Sequence, residues 1–239
     1  MEIKVKTVVV TGAGQGLGFS LVKKHVEMGD RVYAYELNLT KELIDYAMVN
    51  ENLSIHQCDV ASSESVNNAT KEMLKKEDFI HFLYNNAGIF RYEDRVSLLE
   101  TDIDAASVQL QVNAVGLLRM CKAVMQKLGS GSMVVNITSE SGSIGDCYRD
   151  NEYLYGMSKA AANMASMIFQ NEMGKYGVRV ICFHPGWLRS KMGGQGAAES
   201  PHSVSCDESA SNIMSYALNP ERIPEGVYFM EHSGKPLPW

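Results

Sequence analysis

Tyr155 and Lys159 stand four residues apart in "YLYGMSKAA", a spacing that puts both side chains on one face of a helix. A free phenol, with a pKa of ~10, is too weak an acid to serve as a base near neutrality. A lysine ammonium ~5 Å away at an effective dielectric of ~20 contributes about 3 kcal/mol, roughly 2 pK units. The pair is therefore a candidate proton donor and acceptor. Neighbouring tyrosines lack such a partner: four residues after Tyr153 comes Met157, and four after Tyr148 comes Glu152. Tyr153 is expected to pack at a helix start and Tyr148 to border a substrate. Ser139 follows the β-branched run "SMVVNIT", where its hydroxyl can orient a substrate oxygen.

A second stretch, "VVVTGAGQGLGFSLVKK", sets a glycine cluster between an apolar run and a helical pattern. Such a turn brings backbone N–H groups and a helix N-terminus up to a pyrophosphate. The G-x-G-x-x-G fingerprint fails, because its third glycine would fall on Leu17. T-G-x-x-x-G-x-G fits, with Thr11, Gly12, Gly16 and Gly18. Glu36 closes "RVYAYE", where an acidic residue meets an adenosine ribose and repels a 2′-phosphate. Gln15 stands where an Arg or Lys would greet that phosphate. Both features favour NAD over NADP, although Glu36 also reads as a solvated loop carboxylate. Asp59 is expected either to bond the adenine amino group or to cap the helix that begins near Ser62 or Ser63. "YNNAG", ending at Gly88, suits the wall of a cofactor crevice.

The elements that must position these groups alternate along the chain. Strands are expected at 6–10, 31–36, 53–58, 78–84, 132–138, 178–183 and 226–231. Helical periodicity covers 17–29, 63–76, 105–128 and 153–176. Such alternation implies βαβ units with right-handed crossovers. Nearly all-apolar strands imply a parallel sheet covered on both faces. The expected fold is a Rossmann-type, doubly wound α/β sheet of about seven strands with helices on both faces, in one domain spanning 1–239. The segment 193–209, rich in Gly, Ser and Ala, is read as a loop within a substrate-binding stretch, 187–209.

Hydrophobic residues at 45% and charged residues at 21% supply a core and argue against disorder. The net charge of −6 is spread along the chain without a basic cluster, which argues against a nucleic-acid partner. No run approaches the ~18 apolar residues of a membrane span. "MEIKVKTVVVTG" is too short in its apolar part for a signal peptide. Five scattered cysteines suggest free thiols in a reducing compartment, and no metal-ligand spacing emerges. The expected location is cytoplasmic and no metal is expected.

"TGAGQGLG", "NNAG", Asn113 in "QVNAVG", Ser139 in "NITSESG", "YGMSK" and "HPGW" occur in this order over essentially the whole chain. Together they resemble the classical short-chain dehydrogenase/reductase family. "NITSESGSI", "YGMSKAAANM", "HPGWLRSKMGG" and "GVYFMEHSGKPLPW" look like its C-signal/sniffer-like branch, whose members commonly resemble NADP-type carbonyl reductases. The resemblance implies that Lys159 also holds the nicotinamide ribose and that Asn113 helps hold a water linking Lys159 to solvent. Ser190 stands where the family often has a Thr bonding the carboxamide.

The expected catalytic residues are thus Asn113, Ser139, Tyr155 and Lys159. Expected cofactor contacts are Gly12, Gly14, Gln15, Gly16, Leu17, Gly18, Glu36, Asp59, Val60, Asn86, Ala87, Gly88, Tyr155, Lys159, Pro185, Gly186 and Ser190. Glu140, Tyr148, Trp187 and Met192 are expected to meet substrate, while His184 is read as structural. Between Ser139 and Tyr155 the chain is about three residues longer than the family's usual spacing. The additional residues fall in "GDCYRDNE", which is expected to shape the substrate entrance. Small residues in "AAANMASM" fit the family's helix pairing between subunits, hence a homodimer or homotetramer, or close packing onto the chain's own sheet.

The activity so implied is NAD-dependent hydride transfer between a secondary alcohol and a carbonyl. The different reading is a non-catalytic dinucleotide sensor, against which the intact Ser139, Asn113, Tyr155 and Lys159 argue. Nucleotide-sugar epimerases fit less well because TGxxGxxG fails at Gln15. Enoyl reductases of related fold need a lysine where Ala162 stands.

Overall fold

A computed structural model describes residues 5–239. Residues 1–4, which open the stretch read as unlike a signal peptide, lie outside it. The strands are β1 (Thr7–Thr11), β2 (Arg31–Glu36), β3 (Leu53–Gln57), β4 (Phe82–Asn85), β5 (Met133–Ile137), β6 (Arg179–His184), β7 (Leu188–Arg189), β8 (Val204–Ser205) and β9 (Phe229–Glu231). The helices are α1 (Gly16–Glu27), α2 (Lys41–Met48), α3 (Ser63–Lys76), α4 (Ala106–Leu110), α5 (Gly116–Val124), α6 (Tyr153–Met173), α7 (Gly194–Glu199) and α8 (Cys206–Leu218). Seven strands form one sheet in the order β3-β2-β1-β4-β5-β6-β9, every pairing parallel. The strand order reverses between β1 and β4, the switch point where a parallel sheet opens a crevice at its carboxyl edge.

Alternation along the strands divides the core in two. Val8 and Val10 face one way and pack with Leu17, Leu21, Ala210 and Ile213 of α1 and α8. Val9, Leu83 and Val134 face the other way and pack with Val66, Met73, Met120 and Phe169 of α3, α5 and α6. Both faces are thus covered, which is why the strands carry so few polar residues.

The sequence places the strands well, with two late starts, one of them β9, which begins at Phe229 rather than 226. β4 begins at Phe82 rather than near Asp78, because its register with Val8 and Met133 starts there. The helix expected over 105–128 is interrupted. Between α4 and α5 a π turn spans Gln111–Val115, and a 3₁₀ turn over Met125–Lys127 ends the segment. The π turn centres on Asn113, whose side chain is held from outside the helix. Its Oδ1 accepts the Ile89 N–H at 2.8 Å, and its Nδ2 donates to the Ile89 carbonyl and the Ser158 hydroxyl, each at 2.9 Å. Such turns recur where a side chain must be aimed for a purpose.

The stretch 193–209 is more ordered than a Gly/Ser-rich loop suggests. It carries α7, β8, which pairs in parallel with β7 just upstream, and the start of α8. Ser205 caps α8 by accepting the Glu208 N–H at 3.1 Å. α2 is a further unexpected helix, capped by Thr40, and Leu43 is its only buried residue. Among the described residues no helix is long and apolar enough to cross a membrane.

Candidate active site

The glycine turn lies at the β1–β4 switch, and its glycines are there for space. A Cβ on Gly18 would sit 2.1 Å from the Gly12 carbonyl oxygen, and one on Gly12 would sit 2.8 Å from the Ala87 Cα. Gly12 and Gly16 also have φ of +62° and +57°, which side chains rarely adopt. Gln15 precedes α1 in extended conformation and gives it no side-chain cap. The leading N–H groups of α1 therefore remain available to an anion. Asn86 fastens the turn from β4, its Nδ2 donating to the Thr11 and Gly12 carbonyls at 3.0 and 2.9 Å.

A cavity of about 540 Å³ runs along this edge. Of the residues expected to hold the dinucleotide, Gly12, Gln15, Gly16, Leu17, Glu36, Asp59, Val60, Asn86, Ala87, Gly88, Tyr155, Lys159, Pro185 and Ser190 line it. Gly14, Gly18 and Gly186 do not line it. Gly18 is occupied in packing against Gly12, and Gly186 in the wall of a neighbouring cavity. Gly14 supports from behind, donating its N–H to Glu36 Oε2 at 2.7 Å. The other Glu36 oxygen accepts the Leu37 N–H at 2.9 Å.

Asp59 does not cap α3. Ser62 holds that place, accepting the Ser65 N–H at 3.2 Å, while Asp59 Oδ1 accepts the Ala61 N–H at 2.8 Å. The helix-cap alternative for Asp59 is therefore corrected.

The second cavity, about 420 Å³, adjoins the first and shares Thr138, Tyr155, Pro185, Leu188, Ser190 and Met192 with it. The four residues expected at the substrate, Glu140, Tyr148, Trp187 and Met192, all line this cavity, with Ser139 and Phe90. Sequence reasoning missed Phe90, Tyr92 and Arg95, while Arg149 and Glu152 fall in the segment expected to shape the entrance. It also treated His184 as structural, yet His184 lines the cavity and buries an Nδ1 with no hydrogen-bond partner. Burial lowers the His184 pKa.

Tyr155 stands at the junction of the two cavities, on the first turn of α6. Phe90 meets its ring edge-on at 4.9 Å between centroids. Lys159 is one turn on, with Nζ 5.7 Å from the Tyr155 ring centroid and donating to the Ile137 carbonyl at 3.0 Å. A Cβ on Gly88 would lie 3.3 Å from Asn113 Oδ1 and 3.6 Å from Lys159 Nζ, so this glycine lets the two groups approach.

The titration of this pair differs from the spacing argument. Burial pushes the Tyr155 phenol above the ordinary tyrosine range; the Ser139 hydroxyl and Arg149 oppose the rise, while Glu140 and Glu152 add to it. Burial also pushes the Lys159 ammonium down to about 8. Lys159 thus does not bring the phenol below its usual value, because desolvation dominates the titration of each group.

Ser139 Oγ accepts the Ser141 N–H and donates to the Ser141 hydroxyl, each at 3.1 Å. The loop from Ser139 to Tyr155 bends over the cavity mouth. Its outer part is tied to the chain's last residues: Ser143 Oγ donates to the Pro238 carbonyl at 2.8 Å, and the Gly145 N–H to that of Trp239 at 2.7 Å. Trp239 in turn stacks on Phe229 of β9 at 5.4 Å. Among the described residues no group of three or more His, Cys, Asp or Glu side chains is placed to hold a metal ion.

Comparison with known proteins gives this arrangement relatives. A family model described as short chain dehydrogenase matches residues 6–200. A 1-hydroxy-2-glutathionyl-2-methyl-3-butene dehydrogenase of Rhodococcus sp. (strain AD45) is 31% identical over 188 residues, covering 79% of this chain and 80% of that protein. An NADPH-bound carbonyl reductase from chicken fatty liver superposes with a TM-score of 0.87 at 26% identity, over 99% of this chain and 100% of that one. The carbonyl reductase Sniffer of D. melanogaster shares the fold, with a TM-score of 0.86 at 23% identity over 98% and 100% of the two chains.

Proposed function

The chain belongs to the short-chain dehydrogenase/reductase family, and from that premise we propose that it is an NAD-dependent oxidoreductase interconverting a secondary alcohol and a carbonyl. The observation that carries this reading is Tyr155 in the shared wall of the two cavities. A dinucleotide in the glycine-lined cleft and a substrate in the other meet at that phenol. Two of the relatives, the 1-hydroxy-2-glutathionyl-2-methyl-3-butene dehydrogenase and the chicken carbonyl reductase, are named for the same reaction type.

The nicotinamide, when bound, supplies the hydride acceptor or donor and, oxidised, a positive charge. The residues of the chain do the rest. Tyr155 exchanges the proton of the substrate hydroxyl, and Ser139 orients the substrate oxygen beside it. Lys159, with its proton only weakly held, would exchange a proton with the phenol and would hold the nicotinamide ribose. Asn113 steadies this face of α6 through Ser158 and supports the proton path from Lys159. Gly12, Gln15, Gly16 and Leu17 would cradle the pyrophosphate, and Asp59, with one oxygen taken by the Ala61 N–H, would offer the other to the adenine amino group.

Choice of NAD rests on Glu36. Its carboxylate is held by two backbone N–H groups at the ribose end of the cleft, and the positions beside it are Leu37 and Asn38. A 2′-phosphate there meets the like charge of Glu36, while the cations lining the cleft, Arg189, Lys191 and Lys159, come from other segments of the chain. NADP is the competing reading, since the chicken carbonyl reductase was seen with NADPH. Steady-state kcat/KM on a panel of secondary alcohols and ketones with each nicotinamide decides between them, and no turnover with either refutes the enzyme.

The five free cysteines suit a reducing, cytoplasmic setting. Met164 and Ile168 of α6 and Val108 of α4 are exposed apolar residues, which fits a homodimer or homotetramer; sedimentation measures this.

A further inference from the structure

Arg149, in the loop between Ser139 and Tyr155, turns inward and leaves only 18% of its side chain exposed. Its Nη2 donates to Glu140 Oε1 at 2.8 Å and its Nε to Glu152 Oε2 at 3.1 Å. Glu140 is the residue after Ser139. Glu152 immediately precedes α6, three residues before Tyr155, and its carbonyl accepts the Gly156 N–H at 3.0 Å. The second Glu152 oxygen accepts from Arg95 Nε at 2.5 Å.

Among the described residues Glu152 alone combines a side chain with left-handed backbone, at φ +62° and ψ +33°. A non-glycine residue keeps that conformation where its surroundings over-determine it. Here two guanidinium groups grip one buried carboxylate, with Arg95 itself lying over the Phe90 and Tyr92 rings.

We propose that Arg149 is a positioning residue: by bridging Glu140 and Glu152 it holds the Ser139 turn and the first turn of the Tyr155 helix at a fixed separation. This rests on the reading of Tyr155 as the acid/base group. The additional residues of the loop are then a brace as well as an entrance.

The brace is also electrostatic. The titratable and hydroxyl groups around the phenol are Lys159 on its own helix, Ser139 and Glu140 after β5, Tyr148, Arg149 and Glu152 from the loop, Tyr92 and Arg95 after β4, and His184 ending β6. Glu140 and Glu152 favour the protonated phenol, and Arg149 opposes them. Removing Arg149 leaves two carboxylates facing Tyr155 with one neutralising partner fewer, so the proton is held more tightly. Removing the Glu140 charge does the reverse.

The test is the pH profile of NAD-linked oxidation of a secondary alcohol by Arg149→Met, Arg149→Lys and Glu140→Gln. In Arg149→Met the rising limb of kcat moves to higher pH by about half a unit or more. Its kcat falls about tenfold, and KM for NAD is unchanged. Glu140→Gln moves the limb to lower pH. Arg149→Lys returns the limb toward its original pH without restoring kcat, because one ammonium cannot span both carboxylates. Limbs that stay together, or shift with the same sign in Arg149→Met and Glu140→Gln, overturn the proposal.

Hydrogen exchange of the same proteins reads the brace without turnover. Faster exchange in both 139–142 and 153–156 of Arg149→Met supports it, and faster exchange confined to 147–152 overturns it. Should Arg149→Met fail to fold, Arg149→Lys and Glu140→Gln give both readouts. If Tyr155→Phe keeps full turnover, the acid/base reading fails while the exchange result still judges the brace.

Discussion

Glu36 Oε2 accepts the Gly14 N–H at 2.7 Å, so the end of β2 and the glycine turn are fastened by one carboxylate. That carboxylate shapes the turn, and in the proposed reading it would also meet the adenosine ribose. Glu36→Ala is expected to weaken NAD binding about tenfold and to narrow the NAD/NADP ratio of kcat/KM. Glu36→Gln, which keeps an acceptor but no charge, separates the two effects. A ratio unchanged in both variants shows that Glu36 has no part in cofactor choice.

Tyr155→Phe is expected to lower kcat by about 10²–10⁴, the usual worth of general acid–base catalysis. NAD affinity, read by fluorescence titration, should change little. Ser139→Ala is expected to fall in the same range, with its loss including an acceptor for the Ser141 N–H.

Gly18→Ala places a methyl 2.1 Å from a backbone oxygen. Neither neighbour can retreat, because Asn86 Nδ2 bonds the same Gly12 carbonyl at 2.9 Å. The expected result is loss of NAD binding and a clear drop in melting temperature. Gly29→Ala is a control for backbone strain alone, since its Cβ meets nothing within 4 Å yet its φ is +81°.

Lys159 is buried with its pKa lowered to about 8 from 10.5. A cation whose folded pKa is depressed adds stability that is complete above the unfolded value and lost as pH falls through the folded one. At pH 7, therefore, charged Lys159 destabilises the fold. Lys159→Met is expected to gain about 2 kcal/mol at pH 7, after subtracting the lost bond to the Ile137 carbonyl, while activity vanishes. Urea melts from pH 7 to 10 should show that gain shrinking as the wild-type ammonium deprotonates; a gain constant with pH refutes the charge argument.

What was legible in the sequence was local. The glycine turn, the Tyr155–Lys159 spacing and the apolar strands each depend on residues close in the chain, and each occupies its expected element. What was hidden depends on distant partners. Arg95 and Glu152 are an ion pair across 57 positions, and neither has a pattern of its own. The interruption at Asn113 is set by Ile89 and Ser158, which no periodicity reveals. α2 escaped notice because it is only two turns long and buries a single residue fully. The phenol's raised pKa follows from burial, a property of the assembled fold that four-residue spacing cannot convey.

The loop over the cavity mouth has two moorings. Residues near Arg149 are fastened to the reactive groups, whereas Ser143 and Gly145 hang from Pro238 and Trp239, and through Trp239 from the far edge of the sheet. Between the moorings, Ile144 and Tyr148 stand about four-fifths exposed. Variation can therefore re-cut the doorway while the machinery behind it stays in register, and what this chain admits can drift more readily than what it does.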